Sequence, residues 1–138
     1  MITLDASVWI AFFEKADPFN AASEEFLCWV RNKGLIFHSP EFALIETGCA
    51  LARRMRDASF GRTAAGTIAK IPHLELVSSS RISVDAALAD GCGHLLRGAD
   101  AIYAATARFT RTQLITWDQE LIERAGGVTP TTWLGMQT

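Results

Sequence analysis

Apolar residues along the chain fall into short runs, separated by longer stretches in which they recur every three to four positions. Brief strands alternating with helical periods point to an α/β fold, a three-layer α/β/α sandwich around a central, mostly parallel sheet. The first run, Ile2-Thr3-Leu4, leads straight into Asp5, and a helix is expected over 6–14. Val8, Trp9, Ile10, Phe12 and Phe13 make that helix apolar nearly all round, so it must lie deep or have its second face covered. Asp17-Pro18, a capping residue followed by proline, predicts a helix over 17–32 that Lys33-Gly34 stops. A strand at 35–37 follows, and Ser39-Pro40 repeats the start signal for a helix reaching 55. Another helix is expected over 59–71 and a strand at 74–77. Ser80 is placed to cap a helix over 81–96, in which Gly91 and Gly93 each cost about 1 kcal/mol relative to alanine. Gly98 ends it. A helix over 99–109, a strand at 114–116, a short helix up to Gly126-Gly127 and a last short strand including Val128 complete the pattern.

Length and composition narrow the setting. With 138 residues and 49% hydrophobic content, the chain fits one domain spanning 1–138, with a core that needs no disulfide staple. Cys28, Cys49 and Cys92 are odd in number and form no CxxC pair, so they are expected to be small buried hydrophobes in a reducing cytoplasm. His38, His73 and His94 have no metal-ligand spacing. Met1 is followed directly by a strand rather than a signal peptide, and no apolar run approaches the roughly 18–20 residues that span a bilayer. A soluble cytoplasmic protein without a membrane partner is the expectation.

The acids carry the chemistry. Asp5 and Asp118 lie just past the first and fourth strands, at the strand ends where open α/β sheets collect ligands. Asp100 opens a helix, and Glu46 sits mid-helix among Phe42, Cys49, Ala50 and Arg53. Each aspartate taken singly is well explained as a helix cap worth about 1 kcal/mol, and Glu46 as a surface partner of Arg53 or Arg54. Capping does not explain the words around them: Ile2-Thr3-Leu4-Asp5-Ala6-Ser7-Val8-Trp9-Ile10, Ala43-Leu44-Ile45-Glu46, Gly98-Ala99-Asp100-Ala101-Ile102-Tyr103-Ala104-Ala105-Thr106-Ala107, and Leu114-Ile115-Thr116-Trp117-Asp118.

In order, spacing and local sequence, these words resemble the PIN-domain family, and most closely its VapC-like toxin ribonucleases. The resemblance runs over essentially the whole chain, down to Thr129-Pro130-x-x-Trp133-Leu134. It implies that Asp5, Glu46, Asp100 and Asp118 bind Mg²⁺ or Mn²⁺, and that Ser7 and Thr116 brace the first and fourth acids. It further implies a metal-dependent endoribonuclease, commonly a homodimer, whose toxin members are silenced by a small antitoxin. Trp117 is bulkier than the residue often found before the fourth acid, which leaves it open to narrow the cleft, stack on a base or simply pack.

Elementary electrostatics agrees. Two carboxylates about 4 Å apart repel by about 4 kcal/mol at an effective dielectric near 20, so converging acids need protons or cations, and mutual repulsion should raise at least one of their pKa values. An all-oxygen donor set favours Mg²⁺ or Mn²⁺ over Zn²⁺. The net charge of −2 would discourage an RNA substrate, but neutralising four acids turns it to +2, and Arg53, Arg108 and Arg111 are candidates for phosphate contact.

A haloacid-dehalogenase-type phosphatase also begins with a strand and an Asp, but needs a second acid where this chain has Ser7. A DNA nuclease on the same fold is disfavoured by the short length. A housekeeping nuclease and a catalytically silent binding module of PIN type remain as alternatives. Trp9, Ile10, Phe12, Phe13, Phe26 and Trp29 exceed what one small core should absorb, so some are expected to form a patch for self-association or a partner.

Overall fold

The computed structural model describes all 138 residues. Four strands, β1 (Ile2–Leu4), β2 (Phe37–Pro40), β3 (Leu74–Val77) and β4 (Gln113–Ile115), form one all-parallel sheet in the order β3-β2-β1-β4. Helices α1 (Ala6–Phe13), α2 (Asn20–Asn32), α3 (Phe42–Met55), α4 (Ala58–Ile68), α5 (Val84–Gly93), α6 (Gly98–Thr110), α7 (Gln119–Ala125) and α8 (Pro130–Gly135) flank it, with a 3₁₀ turn at Ser79–Arg81. The architecture is the expected α/β/α sandwich. Because every strand is parallel, each is followed by helix before the sheet resumes; the inner strand β1 is buried throughout, whereas the edge strand β3 exposes Glu75. The chain builds outward from β1 through β2 to β3, then crosses back to set β4 on the other side of β1. That reversal opens a crevice at the carboxyl ends of β1 and β4, the place where such sheets bind ligands.

The core gathers around β1 and α1. Leu4, Val8, Trp9, Phe26, Val30, Ile115 and Leu121 are fully buried. The Trp9 indole Nε1 donates to Ser39 Oγ at 3.0 Å, and Ser39 in turn donates to the Leu4 carbonyl at 2.8 Å. This chain of bonds corrects the reading of Ser39-Pro40 as a helix start. Both residues belong to β2, and Pro40 is tolerated because β1 pairing has already ended at His38.

Other boundaries shift for equally local reasons. Asp17 does not cap α2: its Oδ1 accepts from the Phe19 amide at 2.8 Å in a turn, and the helix begins at Asn20, whose Nδ2 donates to the Ala11 and Phe12 carbonyls. Ser83, not Ser80, caps α5, which is shorter than the expected helix over 81–96. Gly91 suits it, since a Cβ there would lie 2.9 Å from that of Ala101 on α6. Val128 contributes only an isolated bridge to Ile115, and α8, capped by Thr129, has no counterpart in the periodicity.

One expectation about side chains is overturned: all three cysteines are exposed. Of the apolar residues of α1 and α2, Trp9 and Phe26 are fully buried and Trp29 packs edge-on against Trp133, while Ile10, Phe12 and Phe13 are half-buried. The exposed large hydrophobics lie elsewhere and include Ile45 on α3, Val84 and Leu88 on α5, and Leu95. No helix is long and apolar enough to cross a membrane.

Candidate metal and substrate site

A cleft of about 370 Å³ at the carboxyl edge of the sheet brings Asp5, Glu46, Asp100 and Asp118 together, with Ser7, Asp17, Phe19, Arg54, Arg97 and Trp117 among its other walls. Four different elements deliver the acids. Asp5 follows β1 as the cap of α1, α3 carries Glu46, the first turn of α6 holds Asp100, and the turn after β4 holds Asp118.

Asp5 is both cap and anchor. Its Oδ1 accepts from the Ser7 amide at 3.0 Å and the Ser7 hydroxyl at 2.5 Å, while Oδ2 accepts from Thr116 Oγ1 at 2.9 Å. Thr116 Oγ1 also accepts from the Asp118 amide at 2.9 Å, so one hydroxyl ties the first acid to the fourth. Ser7 Oγ closes the circuit by accepting from the Trp117 amide at 2.8 Å. Burial pushes the Asp5 carboxyl up to about 7; hydrogen bonds from Ser7 and Thr116 pull it down, and the nearby Glu46 adds a smaller upward push. The raised pKa foreseen from acid crowding is therefore present, but desolvation rather than mutual repulsion dominates it.

Asp118 Oδ1 caps α7 by accepting from the Glu120 and Leu121 amides, leaving Oδ2 for the guanidinium of Arg97 at 3.0 Å. Arg97 Nε also donates to Asp100 Oδ2 at 2.9 Å and lies 3.3 Å from Glu120. Burial raises the Asp100 pKa and Arg97 opposes that rise. Glu46 accepts a hydrogen bond from Tyr103, whose phenol is driven well above its usual pKa by burial and by that carboxylate, so it stays a donor.

Carboxylate oxygens of Asp100, Asp118 and Glu120 all lie within 4.8 Å of one another. Glu120 is the residue missed by sequence reasoning; its signal was an acid two positions past Asp118, in the first turn of α7. These three acids, with Asp5 and Glu46 in the same cleft, suit a hard cation: the donors are all oxygen, and they already hold a cation in the Arg97 guanidinium.

The expected arginines are not where the acids are. Arg108 binds buried Asp90, and with Arg111 it sits at the far end of α6, roughly 12–16 Å along the helix axis from Asp100. Arg53 is exposed and does not line the cleft. Arg54 does, held by Glu14 at 2.5 Å and near Asp17 at 3.9 Å. A face argument on one helix could not separate neighbouring arginines, because which of them reaches the cleft depends on how α3 sits against α1.

An all-parallel sheet with carboxylates gathered at its switch point is the architecture of a PIN domain, and the profile of that family matches residues 2–127. The chain belongs to the PIN-domain family. Among solved structures it is similar to VapC20 of Mycobacterium tuberculosis, a toxin that cleaves the sarcin–ricin loop, at a TM-score of 0.74 and 19% identity, covering 93% of this chain and 97% of that one. It is also similar to PAE2754 of Pyrobaculum aerophilum, at 0.72 and 19%, covering 98% and 87%. A toxin–antitoxin complex from Klebsiella pneumoniae matches at 0.67 and 19%, covering 94% and 98%. No curated protein matches significantly.

Proposed function

We propose that this chain is a Mg²⁺- or Mn²⁺-dependent endoribonuclease, the toxin of a toxin–antitoxin pair, acting in the cytoplasm as a homodimer. The observation that carries the reading is the convergence of Asp5, Glu46, Asp100 and Asp118 from four elements in one cleft of a PIN domain, where Arg97 already shows the acids binding positive charge. Asp100, Asp118 and Glu120 would hold the ion, with Asp5 and Glu46 beside it. Such an ion supplies Lewis acidity, polarising a phosphodiester and lowering the pKa of water.

The protein's own groups prepare the ground for that chemistry. Three hydrogen bonds lock the Asp5 carboxyl, and Thr116 holds Asp118 in step with it. Tyr103 orients Glu46. Arg54 and Arg97 are the cations that line the cleft, and a substrate phosphate that drew Arg54 from Glu14, or Arg97 from Asp100 and Asp118, would gain affinity without sequence specificity.

A groove of about 920 Å³ runs beside the cleft, lined by Phe42 and Ile45 of α3, Val84 and Leu88 of α5, and Ile102 of α6. Exposed apolar surface of this kind suits a protein contact, and the relatives solved as toxin–antitoxin complexes favour such a partner here.

Cleavage of a panel of structured RNAs with and without Mn²⁺ tests the proposal. The wild type should cut only with the ion, and Asp118→Asn should abolish cutting while its circular dichroism stays unchanged. Cutting that persists in EDTA would overturn the metal dependence, and cutting by a folded Asp118→Asn variant would remove Asp118 from the metal site.

A further inference from the structure

An aromatic pair stands at the mouth of the acidic cleft. Phe19 lies flat on Trp117, with ring centroids 4.2 Å apart and planes only 7° from parallel. Both side chains line the same cleft as the four acids, and Trp117 immediately precedes Asp118. With one face on the indole, Phe19 still leaves 43% of its surface exposed, so an aromatic face meets solvent in the cleft that holds the acids.

That exposure is held in place rather than incidental. Trp117 Nε1 donates to buried Ser23 Oγ at 2.8 Å, and its amide donates to Ser7 Oγ at 2.8 Å. The Phe19 amide is fixed on Asp17 Oδ1, and the next residue, Asn20, is tied by its side chain to the end of α1. Both rings are therefore positioned before any ligand arrives, which spares a ligand the cost of ordering them. Phe19 covers Trp117, so the ring offered to a ligand is Phe19's.

We propose that Phe19, backed by Trp117, is a stacking platform for one unpaired nucleobase beside the phosphodiester presented to the acids. This rests on the nuclease reading and adds to it a residue of this chain that contacts a base beside the acids. A base inside a duplex has both faces covered by neighbours and cannot stack on a protein ring, whereas a looped-out base can, and the stack tolerates any base identity. Arg54 lines the same cleft, where an adjoining phosphate would compete with Glu14 for its guanidinium.

Base–aromatic stacking is worth about 1–3 kcal/mol per base, so loss of the ring should weaken binding by about 5- to 150-fold. The test measures affinity by fluorescence anisotropy, in the presence of Ca²⁺, for a short single-stranded RNA, the same RNA with one abasic position, and the matching blunt duplex. Phe19→Leu should weaken the single strand by that factor, Phe19→Trp should restore it, and neither should alter the already weaker binding of duplex. The abasic RNA should bind wild type about as poorly as the intact strand binds Phe19→Leu. Equal affinity of all three proteins for the single strand overturns the platform even if Mn²⁺-dependent cleavage persists, and the nuclease reading then stands without it. Single-strand binding that depends on Phe19 without any cleavage sinks the nuclease reading instead. If Phe19→Leu weakens only the capture of a co-expressed small protein, the ring serves a protein contact and the proposal fails.

Discussion

Replacing Asp5 by asparagine separates the charge of that carboxylate from its shape. The amide remains a good helix cap, and its oxygen keeps the two bonds from Ser7. What disappears is a buried group whose pKa stands at about 7 in the folded protein against an ordinary 3.8. A raised carboxyl binds more protons folded than unfolded between those values, so wild-type stability falls as pH rises from about 4 and levels off above about 7. Three units at 1.36 kcal/mol each amount to about 4 kcal/mol at pH 8. Against this, the new NH₂ faces Thr116 Oγ1, which must turn its proton toward Ser7, 3.4 Å away, at a cost of about 1 kcal/mol. In EDTA at pH 8 the variant should therefore be more stable than wild type by about 3 kcal/mol, roughly 10 °C in Tm for a domain of this size. At pH 4 the advantage should vanish or reverse. Urea melts across pH 4–8.5 give the comparison directly. Saturating Mn²⁺, which at a hundredfold excess over its Kd adds about 2.7 kcal/mol to the species that binds it, should narrow the gap. A difference between variant and wild type that stays constant across pH would mean that Asp5 is ionised throughout, and the account of its burial would be wrong.

Three further outcomes follow from particular contacts. Arg97→Gln removes a positive charge from the oxygens of Asp100 and Asp118, so Mn²⁺ affinity by calorimetry should rise about tenfold, while metal-free stability changes by less than about 1 kcal/mol because the guanidinium is largely exposed. Unchanged or weaker Mn²⁺ binding would show that the arginine does not compete for those acids. Ser39→Ala strands the Trp9 indole N–H in the core and should cost about 1–3 kcal/mol in urea unfolding; a neutral effect would mean that the indole finds another acceptor. Gly61→Ala would place a Cβ 2.3 Å from the Gly48 carbonyl and 2.8 Å from Ala52, so α3 and α4 must separate, with a loss of about 1–3 kcal/mol that a wild-type melting curve would contradict.

Much of the molecule was legible along the chain. The run Ile2–Leu4 stood out because an inner parallel strand is buried on both faces, Leu74–Val77 because leucines flank its one acid, and the three aspartates announced themselves by following strands or opening helices. Their convergence followed from topology, since parallel strands send all their carboxyl ends to one edge of the sheet. Other features depended on atoms brought together from distant parts of the sequence. Ser39 looked like a helix cap until Trp9, thirty residues earlier, claimed its hydroxyl. Glu120 and Arg97 joined the acid cluster only because α6 and α7 start side by side, and Arg108 proved remote from it because it sits at the opposite end of α6 from Asp100, paired with Asp90. Local propensity and pattern are set by neighbours in sequence, and they determined which elements form and which acids end them. Hydrogen-bond partners, the desolvation that lifts Asp5 and the open face of Phe19 are set by neighbours in space, and only the packing of helices on the sheet could decide them.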